Sequence, residues 1–273
     1  MTGKRKIYLG TILLLALTLF GFVYAQTMGS KNESSICIQS KVLGEERTIW
    51  INLPEGYENS DVSYPVLYRL DGNKKLVQKT AATLKRVNKK DENTPEMIVV
   101  GIENIWRDKD MWPTHNKYYP ESQELGSPKF IAFIEKELIP YIENHYRTSE
   151  NRILCGQSLS AVFTLYTFLA KPALFDSYIA CSGAFPDCEP FFRELSTRAF
   201  QNAGLYNNKK LFITHGLKDP LDPDGTVHRQ MTDFSQSIQN QLGSMVSCKY
   251  LIYENEGHVP KNSLEDGLAY LYK

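Results

Sequence analysis

The 273-residue chain has no excess of either charge: 31 Lys and Arg balance 31 Asp and Glu, giving a formal net charge of +0. It therefore lacks the basic surplus that draws a protein to nucleic acid, and no acidic block marks a disordered tail. Internal repeats and low-complexity runs are also absent, which excludes solenoids, propellers and collagen-like arrays. The five cysteines (Cys37, Cys155, Cys181, Cys188, Cys248) form no CxxC pair and no Cys/His cluster, so the common zinc motifs are missing. An odd number leaves at least one thiol unpaired. Cys155 and Cys181 lie in apolar runs, where a thiol packs as a small hydrophobe; a Cys181–Cys188 bridge stays open as an alternative.

Beyond residue 23 no apolar run is long enough to span a bilayer. Before it, Lys4-Arg5-Lys6 precedes the apolar segment Ile7 to Val23, which ends in Tyr24-Ala25-Gln26. A basic start, an apolar centre and a small residue at the cut describe a secretory signal peptide, residues 1–25, cleaved after Ala25. The competing reading is an uncleaved membrane anchor, for which about 17 residues fall just short. No cysteine follows the run, so lipid attachment is not indicated. The expectation is a periplasmic or secreted protein with no stable membrane association after signal cleavage. Residues 26–35 read as a polar tether and residues 36–273 as one domain, of unknown oligomeric state.

That domain alternates strand-like and helix-like segments. Ile36 to Val42 and Arg47 to Leu53 pair as antiparallel strands. Pro65 to Leu70, Pro95 to Gly101, Ile153 to Cys155, Phe175 to Cys181, Lys209 to His215 and Cys248 to Tyr253 are short apolar runs, which suit a parallel sheet covered on both faces. Between them, helical periodicity runs over 74–87, 127–146, 161–170, 189–203, 229–242 and 263–272. Ser127-Pro128 reads as cap and first-turn proline, and Pro140 as a bend. The predicted class is α/β, with helices on both faces of a mainly parallel sheet and N-terminal antiparallel strands. Residues 103–125 form the longest irregular piece, and such loops often bind ligands.

Gly156-Gln157-Ser158-Leu159-Ser160 falls between a short strand and a helix. A serine lifted onto that turn exposes its hydroxyl beside a helix N-terminus, whose N–H groups can hold an oxyanion. The pattern is Gly-x-Ser-x-Gly with Ser160 in place of the last glycine. A serine hydroxyl needs a base, and His258, just after the last strand, is the candidate. His145 and His228 read as surface residues, and His215 as a support for the acid loop. For the acid, Asp219, Asp222 and Asp224 crowd one loop; Asp219 follows its strand most closely, while the other two stay open. That loop lacks the ligand spacing and distal Glu of a calcium site, so no metal is expected. The order nucleophile, acid, histidine is that of the α/β-hydrolase fold. Its oxyanion donors would be the N–H groups of Leu159 and Asn73.

With Leu53-Pro-Glu-Gly-Tyr57, Leu70-Asp-Gly72, Val100-Gly-Ile102, Glu137-Leu-Ile-Pro-Tyr141, Lys171-Pro-Ala-Leu-Phe-Asp176 and Gly257-His-Val-Pro260, the chain resembles the enterochelin-esterase-like, esterase D branch of the α/β-hydrolases over residues 36–273. The resemblance implies a Ser-His-acid esterase without a cofactor, acting on a small-molecule or carbohydrate-linked ester of siderophore, feruloyl or acetyl type. It implies Ser158 as nucleophile, His258 as base and Leu159 and Asn73 as oxyanion donors. Arg107 with Asp110 reads as an ion pair shaping the pocket, with solvated loop charges as the alternative, and Trp106, Trp112 and His115 as substrate contacts, with packing of the loop as the alternative. Two other readings remain: an acyltransferase of the same fold, and a catalytically silent binding protein.

Overall fold

The computed structural model describes residues 24–26, 32–183 and 188–273. Among the described residues nine strands form one sheet: β1 (Tyr24–Gln26), β2 (Glu33–Ser40), β3 (Glu45–Asn52), β4 (Tyr64–Leu70), β5 (Ile98–Ile102), β6 (Thr148–Gln157), β7 (Ser177–Cys181), β8 (Lys209–Gly216) and β9 (Val246–Tyr253), in the order 1-2-3-5-4-6-7-8-9. Strands β1 to β3 pair antiparallel, and β3 joins β5 antiparallel. From β5 to β9 every pairing is parallel. All five residues of β5 and of β7 are buried, as apolar runs covered on both faces require.

The helices are α1 (Lys74–Lys90), α2 (Arg107–Met111), α3 (Ser127–Phe133), α4 (Ile139–His145), α5 (Leu159–Ala170), α6 (Glu189–Phe200), α7 (Thr226–Leu242) and α8 (Ser263–Leu271). One face of the sheet packs Leu67, Val99, Ile153 and Phe212 against Val77 and Leu84 of α1 and Leu268 of α8. The other packs Val66, Tyr68, Leu154 and Ile213 against Phe130 of α3, Phe163 of α5, Phe192 of α6 and Ile238 of α7. Each fully buried side chain of this size contributes about 1.5–3 kcal/mol, so the two cores hold the central strands rigidly. Rigid strands are what a site at their carboxyl ends needs.

Local structure departs from the sequence reading in several places. Glu33–Ser35, assigned to the tether, belong to β2, and Tyr24–Gln26 pairs alongside it. The expected signal peptide otherwise lies outside the described residues. The loop at 103–125 contains α2. The helix expected over 127–146 is three pieces: a π-helical turn, Ile134–Leu138, separates α3 from α4. Pro140 cannot donate an N–H to the preceding turn, and the wider turn absorbs that defect. Gly126 caps α3, so Ser127 is its first residue rather than its cap. Cys37, Cys155, Cys181 and Cys248 are free thiols, so the Cys181–Cys188 bridge is not formed. Among the described residues no helix is long and apolar enough to cross a membrane.

Two glycines fix how closely the loops at the carboxyl ends can pack. A Cβ on Gly156 would lie 2.1 Å from the Ser160 carbonyl oxygen and 2.5 Å from Thr164 Oγ1. Strand β6 and helix α5 therefore touch backbone to backbone directly below Ser158. A Cβ on Gly216 would lie 2.2 Å from the Gly257 carbonyl oxygen, so the segment leading to Asp219 rests on the one leading to His258. Gly156→Ala is expected to destabilise the protein by about 3 kcal/mol, because backbone rather than a movable side chain must give way. Chemical denaturation measures this; a loss under about 0.5 kcal/mol, the range of an ordinary surface substitution, contradicts it.

Candidate active site

Ser158 ends the turn from β6 into α5 with φ 55° and ψ −125°, a conformation that costs a non-glycine residue about 1–3 kcal/mol. The surroundings impose it: the Ser158 N–H donates to the Cys181 carbonyl at 2.9 Å, and the Ser158 carbonyl accepts from Ala161. Its hydroxyl lies 2.8 Å from His258 Nε2, and His258 Nδ1 lies 2.7 Å from Asp219 Oδ2. An ionised carboxylate only accepts, so Nδ1 carries the ring proton and Nε2 offers a lone pair to the Ser158 hydroxyl. Asp219 is buried, and its other oxygen accepts from the Leu221 N–H at 2.9 Å. The Val259 N–H donates to Ser182 Oγ at 3.1 Å, which anchors the residue after His258 despite its φ of 54°.

Of the three loop aspartates, Asp219 is the one bonded to His258. Asp222 accepts from the N–H groups of Val227 and His228 and lies 3.2 Å from His215 Nε2. Asp224 is exposed and accepts from Thr226. His215 thus supports the acid loop, as its strand-end position suggested. His228 is not a free surface residue: its ring stacks on His215 and its Nδ1 lies 3.0 Å from the Tyr250 hydroxyl.

Burial holds the His215 pKa below the ordinary histidine value, outweighing the charges of Asp222 and Asp219. Neutral in the folded protein, His215 takes up a proton readily only when unfolded. Stability is therefore greatest above about pH 6.5, the unfolded pKa, and declines as pH falls from there toward the depressed folded value. His215→Gln is expected to lose less melting temperature between pH 7.5 and pH 5 than the parent. Equal losses in both contradict that assignment.

The two expected oxyanion donors differ. The Leu159 N–H, first in α5, has no acceptor among the described residues, and the helix dipole adds positive potential there. The Asn73 N–H is engaged: it donates to the Asp71 carbonyl at 2.9 Å, while its side chain caps α1 by accepting from Leu76. The tight Asp71-Gly72-Asn73 turn creates that bond. A three-residue turn bends its hydrogen bond, so a charged oxygen competes well for the donor.

Around this point the expected ion pair is rearranged. Arg107 does not pair with Asp110; its Nε and one terminal nitrogen bind both oxygens of Asp71 at 2.7 and 2.9 Å. Asp110 instead lies 2.6 Å from the buried Arg47 guanidinium. Trp112 is buried in the core and stacked on Tyr118, so it packs the loop onto the domain. His115 stacks on Tyr119, and Trp106 is half exposed beneath Lys109. Asp71 and Gln157 lie inside Leu70-Asp-Gly72 and Gly156–Ser160 without a motif role of their own, and Asn104 and Ser182 carry no motif; the partners of Asp71 are far away in sequence. A groove of about 860 Å³ between α6 and α7 contains none of these residues.

This geometry agrees with what the chain resembles. An IroE-like serine hydrolase from Shewanella oneidensis superposes with a TM-score of 0.78 at 27% identity, over 88% of this chain and 80% of that one. The siderophore hydrolase EstA from Aspergillus nidulans has the same fold, with a TM-score of 0.70 at 22% identity, over 93% of this chain and 99% of that one. Ferri-bacillibactin esterase BesA from Bacillus subtilis (strain 168) is 28% identical over 219 residues, 72% of this chain and 74% of its own length. Residues 40–242 match the family described as Putative esterase. The chain belongs to that family and is a carboxylic ester hydrolase with the α/β-hydrolase fold.

Proposed function

We propose that this protein is an exported serine esterase that opens the ester bonds of a siderophore through an acyl-enzyme. The observation that carries the mechanism is the unbroken hydrogen-bond chain Ser158–His258–Asp219 at 2.8 and 2.7 Å. Ser158 Oγ attacks the ester carbonyl as His258 Nε2 takes its proton, and the carbonyl electrons move onto oxygen. Leu159 N–H, joined by Asn73 N–H, stabilises that oxyanion. Collapse of the tetrahedral species breaks the bond to the alcohol oxygen, which leaves with the proton from His258. Water then repeats the sequence on the acyl-enzyme, freeing the carboxylic acid and restoring Ser158. Asp219 keeps the proton on Nδ1 and stabilises the imidazolium that forms twice in the cycle.

The siderophore assignment is supported by the name of the ferri-bacillibactin esterase BesA, 28% identical to this chain, and the serine-hydrolase assignment by that of the IroE-like serine hydrolase at 27%. Export is supported by the basic and apolar pattern of residues 4–25. Chromatography of products from ferri-bacillibactin and from methyl ferulate tests the substrate class. The siderophore should be preferred by at least tenfold in kcat/KM, a margin that a few pocket contacts supply. Preference for methyl ferulate overturns the siderophore reading while leaving the esterase intact.

A further inference from the structure

Ser160 stands where a nucleophile elbow usually has glycine, and it is fully buried. Close packing does not explain it, since the tight contact falls on Gly156. Ser160 Oγ accepts from the Gln157 N–H at 2.8 Å and lies 2.7 Å from Asp71 Oδ2 and 2.8 Å from the Gln157 carbonyl. A hydroxyl has one proton to give, and the carboxylate is the stronger acceptor, so Ser160 donates to Asp71.

Asp71 sits at φ 58°, two residues before Asn73. Arg107 grips both of its oxygens, and Asn104 Nδ2 donates to Oδ1. Burial opposes ionisation, but Arg107, Ser160 and Asn104 together hold this carboxyl below the usual carboxylate range. Arg107 also donates to the Gln157 carbonyl at 3.3 Å. The Ser160–Asp71 and Arg107–Gln157 bonds thus tie together two separate segments. One is the elbow, which carries Leu159; the other is the turn after β4, which carries Asn73.

We propose that Ser160 and Asp71, locked by Arg107, form a strut that sets the separation of the Leu159 and Asn73 oxyanion donors. The proposal rests on the serine-esterase reading. Neither residue touches the reacting atoms, so both are positioning residues. Donors must lie about 2.7–3.1 Å from where the oxyanion forms, and that position is shared between two segments that begin beyond Arg69 and Cys155, the last pair of the β4–β6 ladder. A buried, charge-assisted hydrogen bond carries the tie past the end of that ladder. Asp71 has a second part, because its own carbonyl accepts from the Asn73 N–H at 2.9 Å.

The test compares Ser160→Ala, Ser160→Gly and Asp71→Asn in the full chain. It reads kcat and KM on a p-nitrophenyl ester, with the affinity of phenylboronic acid, whose tetrahedral adduct on a serine places a negative oxygen among the donors. In both Ser160 variants kcat should fall about 10- to 100-fold with KM within about threefold, as expected for donors displaced by a fraction of an ångström to an ångström. Boronate affinity should fall by a matching factor. Asp71→Asn, which keeps an acceptor for Ser160 but not the charge, should lie between parent and Ser160→Ala. Ser160→Gly restores the residue usual at this position and keeps the test open if the alanine variant folds poorly. Both Ser160 variants within twofold of the parent in kcat, or a loss carried by KM with boronate affinity unchanged, overturn the strut. A parent that binds no boronate, with Ser158→Ala as active as the parent, overturns the serine-esterase reading itself.

Discussion

Ser158→Ala is expected to lower kcat for ester hydrolysis by about 10⁶-fold, the scale seen when a serine nucleophile is removed and only binding and the oxyanion donors remain. KM should change little, because Oγ forms its bond after the substrate is held. The same site carries an opposite expectation for stability. Ser158 is held at φ 55° and ψ −125°, which glycine adopts freely and serine does not. Ser158→Gly relieves about 1–3 kcal/mol of strain and loses roughly 0.5–1 kcal/mol to the greater freedom of the unfolded chain. The glycine variant should therefore be inactive and about 1 kcal/mol more stable than the parent. Denaturant unfolding with a parallel activity assay measures both. An inactive variant that is also clearly less stable would show the turn to be unstrained.

The second large effect is expected at Asp219. Asp219→Asn preserves size and an oxygen for the Leu221 N–H, but its amide can donate to His258 Nδ1. That bond selects the tautomer with the proton on Nε2, which faces Ser158 and can no longer accept from it. A loss of about 10⁴-fold in kcat is expected, the scale of the same change in a characterised Ser-His-Asp enzyme. Asp224→Asn provides the control, since Asp224 is exposed and its carboxylate accepts from Thr226 rather than from His258. It should leave kcat within about twofold, as surface changes away from a site do. A large loss at Asp224 with little at Asp219 would reverse the assignment of the acid.

The fold was legible because a parallel sheet buried on both faces writes itself as separate apolar runs, such as Ile98–Ile102 and Ser177–Cys181. Strand β6 shows the limit: its first residues, Thr148 to Arg152, are polar, and only pairing with β4 makes them a strand. Ser158 and His258 could be singled out as candidates because each follows an apolar strand and brings a side chain suited to acyl transfer. Asp219 could not be separated from Asp222 and Asp224 by sequence, since all three occupy one loop and the choice lies in which carboxylate reaches an imidazole 39 residues away. The Arg107–Asp71 pair was hidden for the same reason: Asp110 is nearer in sequence, but α2 turns it toward Arg47. Ser160 was visible as a departure from the elbow pattern, yet its reason is a carboxylate 89 residues away.

The central claim is that Ser158 is the nucleophile, activated through His258. Peptide mass mapping after treatment with diisopropyl fluorophosphate tests it most directly. The expected result is a single phosphorylated peptide modified at Ser158 in the parent, with labelling abolished in Ser158→Ala and reduced by at least about 10³-fold in rate in His258→Ala. Label on another serine, or labelling of Ser158 at the parent rate without His258, would contradict it.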